Sequence, residues 1–213
     1  MKKSSIGIAS EGFPFLFLCG FSGFLFAVLN CWPLAVLMLL LTWLSSHFFR
    51  DPERVIPTDV GIAVSPADGT VVRIERTRDP FTGTHRVCIS IFMSLLNVHV
   101  NRMPVSAKIN AISYYPGKFF NASLDKASQY NERCAYSLES ADGNFTMVQI
   151  AGLVAQRIVC RVEESEELKR GERFGMIKFG SRVDLYIPQN YAPTVMIGEK
   201  VFAGQSIIAK LTY

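Results

Sequence analysis

The chain has 213 residues, of which 49% are hydrophobic and 19% charged. This composition excludes an intrinsically disordered protein and allows one compact catalytic or binding domain. The net charge is only +4, and no block of Lys and Arg alternates with aromatic residues, so a nucleic-acid partner is not expected.

The apolar residues are concentrated near the N-terminus, where residues 13–49 contain no Asp, Glu, Lys or Arg. Pro33 and its polar neighbours divide this run into apolar pieces at 13–29 and 34–49, each slightly short of the roughly 20 residues of a spanning helix. The pattern predicts an α-helical membrane hairpin over residues 1–50. Basic residues flank the run on both sides, which predicts that both ends lie on the cytoplasmic face of the cell membrane: Lys2, Lys3, Arg50 and Arg54. A buried hairpin of a soluble protein and a cleaved signal peptide are the alternatives.

The remainder, residues 51–213, is predicted to be a mostly β catalytic domain. Turn signals such as Asp68-Gly69 and Pro116-Gly117 separate short apolar runs, and only residues 163–169 favour a helix. Eight short strands of this kind indicate a small barrel or sandwich. The predicted strands cover residues 69–73, 86–94, 106–114, 145–151, 158–162, 176–179, 182–187 and 206–211.

Two Gly-marked segments, 64–72 and 197–209, resemble the barrels of biotinyl and lipoyl carriers, whose glycines form the corners of curved strands. One alternative hypothesis is therefore a membrane-anchored carrier or binding module, with Lys200 as the loose candidate for a carrier lysine. A metallopeptidase is a weaker alternative, because His47, His85 and His99 lack zinc-ligand spacing and no metal site is expected. Five scattered cysteines without a Cys-x-x-Cys pair indicate reduced thiols.

Three positions in the polar part of the chain could carry chemistry. His99 lies in a strand-like row with Asn97 and Asn101, although a structural histidine would look the same. Asp68 precedes a glycine, which tight turns also favour for conformational reasons. Gly180-Ser181 interrupts an otherwise continuous strand, which indicates either a β-bulge or a bond that the Ser181 hydroxyl attacks in an N-to-O acyl shift, with a base to take its proton.

Four segments in the same order resemble the short form of the phosphatidylserine decarboxylase family, and the resemblance extends over nearly the whole chain. They are Ser65-Pro-Ala-Asp-Gly-Thr-Val, Asn97-Val-His-Val-Asn-Arg-Met-Pro, Tyr115-Pro-Gly-Lys-Phe through Asn131-Glu-Arg, and Phe179-Gly-Ser-Arg-Val-Asp. The resemblance implies a proenzyme that cuts itself between Gly180 and Ser181 into chains 1–180 and 181–213. Ser181 would become a covalent pyruvoyl cofactor that forms a Schiff base with phosphatidylserine in the bilayer and yields phosphatidylethanolamine and carbon dioxide.

By the same resemblance, His99 would donate a proton after decarboxylation and Asp68 would orient or charge-balance a base during self-cleavage. Longer family members have a second histidine where this chain has Arg102. Either His99 serves both stages, or Arg102 or a water replaces one partner. Arg102 could also bind the substrate phosphate or carboxylate, to which a guanidinium is suited. Membrane lipid is the expected partner, and the sequence leaves a homo-oligomer open.

Overall fold

A computed structural model describes residues 7–120, 122, 130–153, 157–178 and 180–212. The chain divides into two compact units, Met1–Glu53 and Arg54–Tyr213. The first is helical and the second consists of β-strands, so the prediction of a mostly β protein with an apolar helical N-terminus is confirmed.

The N-terminal unit is a pair of packed helices. A short 3-10 turn, Ser10–Gly12, leads into α1 (Phe13–Val28), and α2 covers Trp32–Phe48. Each helix has a proline in its first turn, where the missing N–H costs nothing. The helices approach closely at Gly23, where a Cβ would lie 3.2 Å from Met38 Cβ.

The outer surface of the helix pair is apolar, with side chains such as Phe17, Phe24 and Trp43 at least 62% exposed. Ser10–Val28 is long and apolar enough to cross a bilayer, whereas Trp32–Phe48 is apolar but shorter. The two helices match the two predicted apolar pieces. Their insertion in a membrane stays a prediction.

The second unit contains fourteen strands within its described residues. They are β1 Ile62–Val64, β2 Gly69–Arg78, β3 His85–Met93, β4 Val100–Arg102, β5 Ala107–Tyr115, β6 Arg133–Ser140, β7 Gly143–Ala151, β8 Ile158–Cys160, β9 Glu167–Leu168, β10 Arg173–Ile177, β11 Ser181–Ile187, β12 Tyr191–Pro193, β13 Lys200–Val201 and β14 Ile207–Leu211.

The strands form three antiparallel sheets. The large sheet has the order β13-β2-β3-β11-β7-β6-β5-β9, and two three-stranded sheets have the orders β1-β14-β12 and β4-β10-β8. Every predicted strand overlaps an observed one, but six observed strands lie outside the eight predicted ones: β1, β4, β6, β9, β12 and β13. The likeness to biotinyl and lipoyl barrels stays a prediction.

The predicted helix over residues 163–169 is wrong. Ser165 has a left-handed backbone (φ 71°), and the Glu166 carboxylate accepts the Glu163 N–H, closing a turn. Glu167–Leu168 then pairs with Ala107 and Lys108 as strand β9. Pairing with a distant strand therefore overrides the helix propensity of a Glu-rich segment.

Both faces of the large sheet are covered around β11, all seven residues of which are buried. Val183, Leu185 and Ile187 belong to the main apolar core, and Tyr186 packs in a smaller cluster on the opposite face. Because side chains alternate along a strand, Ser181 faces the main core.

Candidate active site

Ser181 is the first residue of β11, near the middle of the large sheet. It pairs with Met93 of β3 on one side and with Ala151 of β7 on the other. The residue is completely buried, and its Oγ has no hydrogen-bond partner among the described residues. A buried hydroxyl without a partner is costly, which is typical of a group kept for chemistry.

Gly180 connects two sheets, because β10 ends at Ile177 in the small sheet and β11 begins at Ser181 in the large one. Its φ of +67° lies in the left-handed region, which only glycine adopts readily. The Gly180 carbonyl oxygen also packs against Gly152, where a Cβ would lie only 2.1 Å from it. Two glycines therefore shape the bond before Ser181, and the predicted interruption of the strand is a passage from one sheet to another rather than a β-bulge within one strand.

His99 contacts the backbone at this bond. Its Nδ1 lies 2.9 Å from the Asn97 carbonyl oxygen, which can only accept, so Nδ1 carries the proton. Its Nε2 then has a lone pair, which accepts the Gly180 N–H at 3.4 Å. The ring is fully buried. The structure thus brings an unprotonated imidazole nitrogen to the residue that precedes Ser181.

The predicted polar row around His99 is shorter than expected. Asn101 is buried with His99, but the Asn97 side chain accepts from Ser94 N and Oγ and closes the turn after β3. Asn97 therefore contributes its carbonyl rather than its amide to the histidine.

Asp68 lies in the turn before β2 and is held on both carboxylate oxygens. Arg54 Nη2 donates to Oδ2 at 2.8 Å, and the Ala203 N–H donates to Oδ1 at 2.7 Å. Arg54 also donates to Gln205 Oε1 at 2.6 Å. The described contacts of Asp68 thus join it to the turn before β14. Arg54 was not predicted from the sequence as the ionic partner of Asp68.

Arg102 is buried at the end of β4. Its Nη1 donates to the Gly171 carbonyl at 3.0 Å, and its Cδ would lie 3.1 Å from a Cβ at Gly204. The backbone N–H of Arg102 donates to Pro66, next to the Asp68 turn. These contacts hold three turns together.

Two other buried polar residues support the strand end at Ser181. Arg182 forms a buried ion pair with Asp184 at 2.8 Å on the opposite face of β11. Asn131 Nδ2 donates to Phe120 O and Ala151 O, both at 2.7 Å, and so ties residue 120 to the strand beside Ser181. Half of the segment 118–133 lies outside the described residues, namely residue 121 and residues 123–129.

Comparison with known proteins places this arrangement in a family. The family model for phosphatidylserine decarboxylase matches residues 41–209. The chain is 60% identical over 211 residues to a phosphatidylserine decarboxylase proenzyme of Nitratidesulfovibrio vulgaris, covering 99% of this chain and 97% of that one. It is 57% identical to the proenzyme of Oleidesulfovibrio alaskensis (98% and 96% covered) and 50% identical to that of Solidesulfovibrio magneticus (99% of each).

These relatives match the chain from end to end, and they are enzymes rather than carrier modules or metallopeptidases. The resemblance in the four sequence segments is therefore confirmed over the full length. The chain belongs to the phosphatidylserine decarboxylase family.

Proposed function

We propose that this protein is a self-processing, pyruvoyl-dependent decarboxylase that converts phosphatidylserine to phosphatidylethanolamine and carbon dioxide. The observation that carries the proposal is the buried, unpartnered Ser181 hydroxyl directly after Gly180, whose N–H is bound by His99. Membership of a family whose members are named proenzymes supports cleavage of the chain before catalysis.

Self-cleavage would begin when Ser181 Oγ attacks the Gly180 carbonyl carbon. The C–O bond forms, the C–N peptide bond breaks, and the freed amine takes up a proton, which leaves an ester. Elimination across Cα–Cβ breaks the ester C–O bond and releases Gly180 as a carboxylate. The resulting dehydroalanine tautomerises to an imine, and one water replaces the nitrogen as ammonia to leave a ketone.

His99 is the proposed base for these proton transfers. A neutral imidazole with its lone pair at the scissile residue can take the hydroxyl proton and return it to the amine. The hydrogen bond from Nδ1–H to Asn97 fixes this tautomer. The same nitrogen is the proposed proton donor to the substrate carbon after carbon dioxide leaves.

The pyruvoyl group would supply a ketone that condenses with the substrate amine as a Schiff base and accepts the electron pair left by carbon dioxide. The residues present fit such a group, because Ser181 lies buried between β3 and β7 with no polar atom bound to its side chain among the described residues.

Asp68 and Arg102 have supporting roles in this proposal. Asp68, paired with Arg54, would balance positive charge during self-cleavage. Arg102 would bind the substrate carboxylate or phosphate, although its bond to Gly171 also supports a role in holding that turn. An Arg102→Lys variant separates the two roles. A lysine keeps the positive charge that attracts an anionic substrate group, but it loses the planar hydrogen-bonding geometry of the guanidinium.

The substrate places the reaction at a membrane surface. A lipid with two acyl chains stays in the bilayer, and the apolar surface of α1 and α2 supports anchoring of the chain beside it. We propose the cytoplasmic face of the cell membrane, with the two chains produced by cleavage remaining together.

The first test is the intact mass of the purified protein in a membrane mimetic. In the wild type, the 23.8 kDa chain is expected to disappear and to be replaced by chains 1–180 and 181–213. The mass of the small chain should be lower, by the mass of one ammonia, than the mass of the same chain with serine at its N-terminus. Ser181→Ala should stay whole. Ser90→Ala is the matched control, because it removes another buried serine hydroxyl, on strand β3, and should still be cleaved. A wild type that stays whole would contradict self-processing.

The second test is release of carbon dioxide from phosphatidylserine in vesicles. The cleaved wild type should be active without added cofactor and should lose activity after reduction with cyanoborohydride in the presence of substrate, which traps the amine on the ketone. Activity of uncleaved Ser181→Ala would overturn the pyruvoyl mechanism while leaving the substrate assignment intact.

A further inference from the structure

Three fully buried polar side chains form a continuous hydrogen-bonded row inside the main core. Tyr136 Oη donates to Gln149 Oε1 at 2.7 Å, and Gln149 Nε2 donates to Asn101 Oδ1 at 2.7 Å. Asn101 Nδ2 then points at Met93 Sδ, at 3.5 Å. All three residues have 0% exposure. We call Tyr136, Gln149 and Asn101 the amide row.

The amide row ends beside Ser181. Gln149 pairs with Val183 on β11, two residues from the pair formed by Ala151 and Ser181. Paired residues on antiparallel strands share a face, so Gln149 and Ser181 project from the same face of the large sheet. Met93, which Asn101 contacts, is the partner of Ser181 on its other side.

The amide row also joins two different sheets. Gln149 lies on β7 of the large sheet, and Asn101 lies on β4 of the small sheet, two residues after His99. The sheets approach closely here because the partner of Asn101 on β10 is Gly175, where a Cβ would lie 3.2 Å from Gln149 Nε2 and 2.6 Å from the Val159 oxygen. The bond between Gln149 and Asn101 thus connects the strand after His99 to the strand that flanks Ser181.

The hydrogen bonds of the amide row all run in one direction. Burial raises the pKa of the Tyr136 phenol well above its usual value, so it stays protonated and acts as the donor. Each amide accepts on its oxygen and donates from its nitrogen to the next group, and such chains strengthen each bond. Buried amides cost free energy unless they are paired, and apolar side chains of the same size would fill this core. Stability alone therefore does not explain the row.

We infer that Asn101 and Gln149 are positioning residues that set the placement of His99 relative to Ser181 for self-cleavage. The inference rests on the proposed function at Gly180-Ser181. The row acts through the backbone of β4 and β7, and Tyr136 fixes the orientation of the Gln149 amide. A misplacement of about 1 Å between reacting groups can cost about 100-fold in rate.

The test follows cleavage of freshly translated chains in a cell-free system with detergent. Gln149→Met and Asn101→Leu keep the volume and remove the bonds, so we expect cleavage at least about 10-fold slower than in the wild type. Their melting temperatures, measured on a Ser181→Ala background, should stay within a few degrees of that parent. Thr146→Val is the matched control, because it removes another buried polar group of β7, five residues from Ala151, and should cleave at the wild-type rate.

Gln149→Glu gives a readout that a merely structural role would not produce. When the carboxyl group of this variant is protonated, it can still accept from Tyr136 and donate to Asn101, whereas the carboxylate cannot donate. Cleavage by this variant should approach the wild-type rate at low pH and fall as the pH rises, in a step that the wild type lacks. This pH profile also decides the question if Gln149→Met does not fold.

The outcomes are distinct from those of the proposed function. If the wild type cleaves and both Gln149→Met and Gln149→Glu follow its rate and pH profile, the positioning role is wrong and self-processing stands. If the wild type itself stays whole, self-processing is wrong and the positioning role has no reaction to serve.

Discussion

At the residue scale, Gly152 is important for the proposed cleavage because it has no side chain. The Gly180 carbonyl oxygen occupies the space that a Cβ at Gly152 would need. This oxygen would become negatively charged when Ser181 attacks the carbonyl carbon, so its surroundings affect the barrier directly.

Gly152→Ala is therefore expected to slow the proposed self-cleavage by at least about 10-fold, because the methyl group must displace the carbonyl that Ser181 would attack. The same overpacking should lower the free energy of unfolding by about 1–3 kcal/mol. Gly20→Ala is the control, since nothing lies within 4 Å of a Cβ there. Gel analysis of newly made chains measures the rate, and cleavage of Gly152→Ala at the wild-type rate would contradict this role for position 152.

The different surroundings of Cys160 and Cys88 predict how the alkylation of these cysteines depends on pH. A hydrogen bond from the Cys134 thiol lowers the pKa of Cys160 to about 6, whereas burial raises the pKa of Cys88 well above its usual value. Because the thiolate is the reactive form, alkylation of Cys160 by iodoacetamide should rise from about pH 5 to 7 and then level off. Peptide mass mapping of the folded protein should find Cys160 modified long before Cys88. Equal rates would contradict the pKa difference.

At the element scale, one ion pair joins turns that are distant in sequence. Arg54 bonds Asp68 in the turn before β2 and Gln205 in the turn before β14, and the Arg54 and Asp68 side chains are only 12% and 6% exposed. Removing one member of such a pair leaves an uncompensated charge.

Arg54→Met should therefore lower the free energy of unfolding by about 3 kcal/mol or more, on a Ser181→Ala background that keeps the chain whole. The double variant Arg54→Met/Asp68→Asn should recover part of that loss, because no lone charge remains. Denaturant titration of the parent, of Arg54→Met, of Asp68→Asn and of the double variant closes the cycle. Glu75→Gln is the control, since the more exposed pair with Arg73 should contribute no more than about 1 kcal/mol. Additive effects of the two substitutions would show that the ion pair is not coupled.

At the scale of the whole molecule, the position of β11 determines what the proposed cleavage would do to the fold. β11 lies between β3 and β7, all its residues are buried, and β12 and β14 continue the same C-terminal segment in a second sheet. A cut before Ser181 would break one covalent bond and would leave all of these strand pairings in place.

We therefore expect chains 1–180 and 181–213 to purify together and to separate only under denaturing conditions. Size-exclusion chromatography in detergent, followed by mass analysis of the peak, measures this association. Loss of the small chain during native purification would contradict it.

Much of the architecture could be predicted from local sequence. The charge-free run at 13–49 and its break at Pro33 predict two helices, and the alternating apolar runs predict β-strands that the structure contains. Six strands, of which β6 is the longest, and the turn at 163–166 could not be predicted in this way. The segment after residue 163 depends on β5, which is far away along the chain, whereas β6 pairs with β5 on one side and with its chain neighbour β7 on the other.

By itself, the sequence determined the class of the protein, because the segments around Asp68, His99 and Gly180-Ser181 resemble a decarboxylase family and membership of that family is confirmed. Cleavage at the bond between Gly180 and Ser181 stays a prediction. Only the tertiary structure decided which groups meet there. It placed His99 Nε2 on Gly180, the Gly152 backbone on the Gly180 carbonyl, and Arg54 on Asp68. The physical reason is that these contacts arise from strand register and sheet packing, which join residues distant in sequence and leave no local pattern.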